Sequence, residues 1–295
     1  MAPAASRRRG AHERLAREAL AEDRVGRDRT SVAVLPRELA VTATVVAQAR
    51  GVLSGGTAAV AAARAAGLRA RRLVPDGRAV RAGLPVLSLR GDARSVLGAE
   101  RTILNLLMHA SGVATATARA VRSARPSRPP LRVLATRKTL PGLRDLEKEA
   151  VAHGGGRPHR RDLSEAILVK SSHVDLVGLE PAVRRALRAA RPGESVEVEV
   201  RTAREAVRAA RLGAPALLVD NASPGRAREI VRALRDAGLR TGRFVELSGG
   251  ITPEGVAAYR SVGADAVSLG ALTHSAPALP FHLVLRPPRL RRRTA

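Results

Sequence analysis

What most limits the folds open to this chain is a rhythm in its second half. Six short apolar runs alternate with segments of helical periodicity. The runs are Leu131 to Ala135, Ile167 to Val169, Val196 to Val200, Ala216 to Val219, Phe244 to Leu247 and Ala266 to Leu269. The helical segments are Pro141 to Ala152, Glu180 to Arg191, Ala203 to Leu212, Arg226 to Ala237 and Pro253 to Val262. Repeated strand–helix units predict a parallel sheet. Continuous apolar runs flanked by helices suit a closed α/β barrel or a doubly wound sheet. The barrel is favoured because polar residues follow almost every run: Arg137 and Lys138, Lys170, Glu199, Asp220 and Asn221, Ser248-Gly249-Gly250, and Gly270. In α/β barrels the carboxyl rim of the strands carries the chemistry.

The first half has another texture. Residues 11 to 24 read as a helix with Leu15, Ala19 and Leu20 on one face. Residues 31 to 92 hold short Val/Leu runs between Gly and Pro, which predicts strands and turns. A long helix is expected from Ala93 to Val121. The Arg-, Pro- and Ser-rich stretch Arg122 to Pro130 marks the main boundary. Residues 1–121 are thus expected to form one domain and 122–279 a second.

Composition sharpens the search for functional residues. Only three lysines, Lys138, Lys148 and Lys170, stand against forty-nine arginines, and only two asparagines occur, Asn105 and Asn221. A composition that replaces Lys by Arg wherever charge suffices points to the survivors as positions needing a compact, mobile point charge. With 1% aromatics the core must be Leu, Val and Ala, and stacking platforms for single-stranded nucleic acid are nearly absent. The net charge of +26 is spread over the chain as interruptions of Ala/Leu helices, the pattern of solvated helix faces. Nucleic acid is therefore an unfavoured partner, although the tails Ser6 to Arg9 and Arg289 to Arg293 could bind polyanions loosely. There is no cysteine, hence no thiolate metal site or thiol nucleophile. No run approaches the ~18 apolar residues of a membrane span, and no signal peptide is read at the basic start. A cytoplasmic location is expected.

The rim candidates form a dense cationic set: Arg137, Lys138, His159, Arg160 and Lys170, with Arg101 upstream. Its natural ligand carries several negative charges, as phosphates, pyrophosphate or paired carboxylates. Glu199 and Asp220 end neighbouring runs. They could hold Mg²⁺ through water and substrate phosphates, or stabilise a cationic transition state. Glu197 shares a strand face with Glu199 and is an alternative to it. Ser248-Gly249-Gly250 precedes Thr252 and Pro253, a helix start whose N–H groups would face a phosphate, and Gly270-Ala271 could form a second wall. Gly154 reads as a helix stop, and the triple glycine as a ligand-hugging loop.

In these motifs the chain resembles the quinolinate phosphoribosyltransferase family, the decarboxylating nicotinate-nucleotide pyrophosphorylases. The resemblance is carried by Thr136 to Arg144, Glu147 to Val151, the triple glycine with His159-Arg160, Glu100 to Asn105, Ser111 to Thr115, Val196 to Val200, Asp220-Asn221, Ser248-Gly249-Gly250 and Ser268 to His274. It runs from about Leu20 to Leu285. It implies an N-terminal α/β sandwich domain, a C-terminal α/β barrel with open edges, and residues 280–295 packing back on the first domain. It implies a homodimer with shared sites, Mg²⁺, and transfer of phosphoribose from phosphoribosyl pyrophosphate to quinolinate with loss of CO₂ and pyrophosphate, in NAD biosynthesis. Arg137, His159 and Arg160 would hold the quinolinate carboxylates, joined by Arg101 of the partner subunit. Lys138 and Lys170 would meet the pyrophosphate. Glu199 and Asp220 would position the ribose hydroxyls and Mg²⁺. Ser248, Gly249, Gly250 and Gly270 would bind the 5′-phosphate. The chain departs from the family pattern at Ala135 (usually Asp), Ser171-Ser172 (Asp-Asn), Arg27 (Gly), Pro280 (Asp) and His282 (Ser).

Three other readings compete. A molybdenum-transport-associated paralogue of the same fold tends to lack a lysine at the position of Lys170. A nicotinate phosphoribosyltransferase would need fewer cations. A basic polyanion-binding protein on an enzyme scaffold would show salt-sensitive binding without turnover.

Overall fold

Alternating side-chain burial sets the first sheet. In the strand Ala40–Ala47, Val41, Ala43, Val45 and Ala47 are buried while the residues between them are not, the mark of a strand with one face on a core. The computed structural model describes residues 2–126 and 130–286. It divides into two units. One comprises the chain up to Ala116, Leu140–Gly154 and the segment from Ala276; the other comprises Thr117–Thr139 and Gly155–Ser275.

In the first unit, Ala40–Ala47 pairs antiparallel with Pro85–Asp92 on one side and with Phe281–Arg286 on the other. Arg69–Arg72 extends the sheet beyond Pro85–Asp92. The late strand Phe281–Arg286 is thus a member of this unit's sheet. Helices Ala2–Glu22 and Gly56–Ala65 pack on one another. The second buries Ala58, Ala59, Ala62 and Ala63, so small side chains let the backbones approach closely. The stretch 31–92 therefore contains a ten-residue helix where strands and turns were expected. Its alanines carry little hydropathic contrast, and its start at Gly55 and Gly56 reads as a turn. A second short helix, Arg29–Val34, is N-capped by Asp28, which accepts from the Thr30 and Ser31 amides.

The expected cut at residues 121 and 122 falls inside the helix Ala93–Ala124. The segment Leu140–Gly154 is assigned with the first unit. Side-chain contacts from its helix Arg144–His153 account for this. Glu147, fully buried, bonds His109 at 2.8 Å and accepts from the Leu140 amide, and His153 Nδ1 meets Ser54 Oγ at 2.8 Å. Lys148 on the same helix is 3% exposed. Gly154 ends this helix in a right-handed conformation, and it is Gly155 that takes the left-handed φ of 86°.

The second unit contains all six expected strands, every pair parallel. Their spatial order is Arg132–Leu134, Ala266–Ser268, Phe244–Ser248, Ala216–Asp220, Val196–Val200, Ile167–Val169. The first strand in sequence sits beside the last, so the sheet wraps into an α/β barrel whose seam lies between Arg132–Leu134 and Ile167–Val169. Arg157 covers the first edge, giving its amide to Val133 O and accepting from the Ala135 amide.

Helices Leu179–Ala189, Ala203–Arg211 and Pro224–Asp236 follow successive strands. Thr202 and Ser223 cap two of them, with Pro224 in the first turn. Many arginines on these surfaces are paired, such as Arg184 and Arg208 with Glu180 and Arg191 with Glu194. That fits the solvated-face reading of the charge. No helix of the described residues is long and apolar enough to cross a membrane.

One expected helix is corrected. Pro253 to Val262 forms only a 3₁₀ turn, Gly255–Tyr259. Val256 and Val262 are both buried but lie six residues apart, which a regular α-helix would set about 120° apart around its axis. Thr252 still acts locally, accepting from the Gly255 amide. A seven-residue helix not expected from the sequence, Ser171–Val177, follows Lys170.

Candidate active site

The strand Val196–Val200 shows how the barrel divides its side chains. Val196, Val198 and Val200 are buried on one face, while Glu197 and Glu199 share the other. A carboxylate every second residue in an apolar strand makes sense only if that face lines a polar lumen.

At the rim, Glu199 is half-buried and accepts from the Ser171 amide at 3.2 Å. Ser171 opens the short helix directly after Lys170. His173 caps that helix by accepting the Lys170 amide at 2.9 Å. Lys170 and Glu199 are therefore held at adjacent strand ends. Their link runs through a backbone N–H, so the serine that replaces the family's Asp does not disturb it.

On the neighbouring strands Asp220 lies opposite Ser248. Asn221 donates through Nδ2 to Asp220 Oδ2 at 2.7 Å and gives its backbone amide to Ser248 O. Asn221 adopts φ 49°, and Gly249 beside it adopts φ 89°. A Cβ on Gly249 would lie 2.3 Å from Asn221 Oδ1. Glycine is thus required twice over, by conformation and by space. Gly250 also has positive φ. The turn delivers its amides into loop and 3₁₀ structure, and the regular helix N-terminus expected here is absent.

Lys138 is exposed, and its carbonyl accepts from Thr273 Oγ1 at 2.6 Å. A Cβ on Gly270 would stand 2.8 Å from both Lys138 Cδ and His274 Nε2. Gly270 therefore makes room for the lysine stem. Ser268 donates to Ser248 Oγ at 2.9 Å, tying these two strand ends together.

His159 and Arg160 follow the edge-covering Arg157. His159 holds a left-handed φ of 50°, strained for a residue with a side chain. Its Nε2 lies 3.5 Å from Glu246 Oε2 and 3.8 Å from Glu197 Oε2. Arg160 donates to Ala166 O at 2.9 Å. Burial lowers the pKa of its guanidinium, as does Arg137, while Glu197 acts in the opposite sense. Arg137 is half-buried, and its Nε makes no hydrogen bond among the described residues. Desolvation raises the Glu197 carboxyl to about 8, reinforced by Glu246. It raises Glu246 to about 7, opposed by a hydrogen bond with Ser268. The ligand atoms of His159, Glu197 and Glu246 all fall within 4.8 Å of one another. A hollow of about 410 Å³ is lined by Arg132, Leu134, His159, Arg160, Glu197 and Phe244.

The rim candidates of the second unit therefore stand on one barrel. Arg101 belongs to the first unit, exposed on Ala93–Ala124 beside a hollow it shares with Arg24 and Arg27. Glu246 escaped the sequence reading. Its signal was a lone carboxylate inside the apolar run Phe244 to Leu247, in phase with Ser248.

An α/β barrel with cations, paired carboxylates and a glycine turn on its carboxyl rim defines an enzyme acting on a multiply anionic substrate. The chain belongs to the quinolinate phosphoribosyl transferase family: the family's C-terminal domain matches residues 113–284 and its N-terminal domain residues 28–111. A probable nicotinate-nucleotide pyrophosphorylase (carboxylating) of Methanothermobacter thermautotrophicus is 40% identical over 271 residues, 92% of this chain and 97% of that protein. The nicotinate-nucleotide pyrophosphorylase (carboxylating) of Mycobacterium leprae is 39% identical over 274 residues, 91% of this chain and 95% of that one. The solved structure of nicotinate-nucleotide pyrophosphorylase from Francisella tularensis matches with a TM-score of 0.84 at 31% identity, covering 94% of this chain and 97% of that chain.

Proposed function

We infer that this chain performs its family's reaction as a pentosyltransferase of NAD biosynthesis. It joins quinolinate to the phosphoribosyl group of phosphoribosyl pyrophosphate and releases nicotinate mononucleotide, CO₂ and pyrophosphate. The observation that carries this reading is the charge arrangement on one barrel rim. Lysines end two strands, two part-exposed carboxylates end two others, and His159 and Arg160 stand at the seam. A dicarboxylate and a sugar carrying both a phosphate and a pyrophosphate need that many cations, and a developing ribosyl cation needs the carboxylates.

In this assignment Arg137, His159 and Arg160 grip the quinolinate carboxylates. Lys138 and Lys170 take the negative charge that grows on the departing pyrophosphate. Glu199 and Asp220 hold the ribose hydroxyls and face the oxocarbenium-like carbon. Ser248, Gly249 and Gly250 offer hydroxyl and amide donors to the 5′-phosphate. Gly270 borders that cup and leaves space for Lys138. Loss of CO₂ then leaves an electron pair at the ring carbon beside the cationic nitrogen, where a proton replaces it.

Glu199 and Asp220 fit a water-mediated Mg²⁺ site. They are hard oxygen donors, part-exposed, on adjacent strands, and each is oriented by one hydrogen bond. When bound, Mg²⁺ would neutralise pyrophosphate charge.

The working unit in this assignment is a homodimer, with Arg101 completing the partner's quinolinate site. Its exposure supports this, as do the exposed apolar side chains Val34, Leu163 and Leu176. The cysteine-free composition is compatible with the cytoplasm, the location assigned here. Lys170, held beside Glu199, weighs against the paralogue that tends to lack it.

The test is an assay of the purified protein with quinolinate, phosphoribosyl pyrophosphate and Mg²⁺, following nicotinate mononucleotide. Folded protein that forms no product overturns the assignment.

A further inference from the structure

His159 and Arg160 must meet a dicarboxylate in one geometry, yet they sit on a loop between two glycines and the barrel seam. Its backbone is tied to the sheet at Arg157, two residues before the histidine. Beyond that point His159 is held in a left-handed conformation that an L-residue adopts only when its surroundings over-determine it. What surrounds it from inside the barrel is a pair of carboxylates, Glu246 and Glu197, whose side chains are 1% and 8% exposed. Neither has a part in the chemistry assigned above.

Burying two carboxylates against apolar strands is unfavourable unless positive charge is held over them. Within the second unit the groups held over them are His159, whose Nε2 is 3.5 Å from Glu246 and 3.8 Å from Glu197, and Arg160, which interacts electrostatically with Glu197. Glu197 Oε1 and Glu246 Oε2 make no hydrogen bond among the described residues. The His159 ring and the Arg160 guanidinium are the loop groups that face this pair. The floor is rigid, because both carboxylates come from interior barrel strands. Glu246 is further fixed by Ser268, which in turn bonds Ser248.

We propose that Glu246 and Glu197 are positioning residues: a buried pair of carboxyl groups at the floor of the barrel that faces His159 and Arg160 and sets them for the carboxylates of quinolinate. The proposal rests on the quinolinate assignment. It adds that substrate affinity depends on two side chains that do not touch the substrate. Truncating the loop cations removes contacts outright. Replacing a floor carboxyl by an amide leaves every contact group in place and alters only its orientation.

The experiment uses Glu246→Gln and Glu197→Gln, each close in shape to the native side chain. In steady-state kinetics each variant is expected to raise KM for quinolinate about tenfold or more while KM for phosphoribosyl pyrophosphate stays within about twofold. A general loss of packing would move both constants together. Independently of turnover, the imidazole signals of ¹⁵N-histidine-labelled, ligand-free protein report the loop directly, with His159 assigned by its loss in His159→Asn. Its signal is expected to shift or broaden in Glu246→Gln while the other six histidines stay in place. If one variant fails to fold, the other supplies the same readouts. An unmoved His159 signal, or parallel rises in the two KM values, overturns the proposal. Absence of product from the wild-type protein overturns the quinolinate assignment instead, and leaves the histidine spectrum as the judge of the floor.

Discussion

Gly249 and Asn221 can occupy their places only as a pair. Asn221 needs its left-handed backbone to aim Nδ2 at Asp220, and Gly249 must lack a side chain to let Asn221 pass. Gly249→Ala is expected to cost about 1–3 kcal/mol, from positive-φ strain and the clash together. Urea denaturation measures it, and a change below a few tenths of a kcal/mol would contradict the geometry. Lys170 makes a different demand. In the proposed assignment it meets the departing pyrophosphate with a compact, mobile charge, so Lys170→Arg is expected to lower kcat about tenfold or more despite the kept charge. Near-wild-type turnover would show that charge alone suffices there. The scarcity of Lys and Asn in the sequence pointed to Lys138, Lys170 and Asn221 at the rim. It pointed equally to Lys148, which the structure places buried in the first unit.

Among the elements, strand runs were legible in the sequence, while helix starts and caps were settled by the structure. Thr202 caps Ala203–Arg211 by accepting the Glu205 amide at 3.1 Å. Thr202→Ala is expected to cost about 1 kcal/mol, read as a lowered urea midpoint at unchanged m-value. All six barrel strands were legible because runs of three to five mostly apolar residues, recurring between helical segments, have few other uses. The helix Gly56–Ala65 was not, since alanines beside glycines show no face until a neighbouring helix supplies one. The shortening of Pro253 to Val262 was invisible for a related reason: which residues must be buried there depends on what packs against them.

For the molecule as a whole, the raised carboxyls set a pH dependence. Both Glu197 and Glu246 bind protons more tightly folded than unfolded. Their stabilisation is complete below the unfolded carboxylate pKa, about 4.3. It is lost as pH rises through about 7 and about 8. The melting temperature is accordingly expected to fall between about pH 5 and pH 9, with a shallower fall in Glu246→Gln. A flat profile in the wild type would contradict the burial. Assembly has its own test. Arg101→Ala and Lys138→Ala are each expected to be nearly inactive. Mixed and allowed to exchange subunits, they should recover about a quarter of wild-type activity, because half the dimers then hold one intact site. Activity that stays at the sum of the two variants would rule out a shared site.

The sequence by itself determined the strands, most helices and the rim residues. Each of these follows from side-chain chemistry repeated at the period of a strand or helix, which needs no knowledge of what lies across the barrel. Tertiary structure decided what depends on closure. It brought the last strand beside the first, and it assigned the Leu140–Gly154 helix to the first unit through Glu147 and His153. It put Glu246 and Glu197 under the same histidine. Glu197 and Glu199 look alike along the chain. Depth alone separates them: one is sealed in the lumen, the other is open at the rim, and depth in a barrel is fixed by every strand at once.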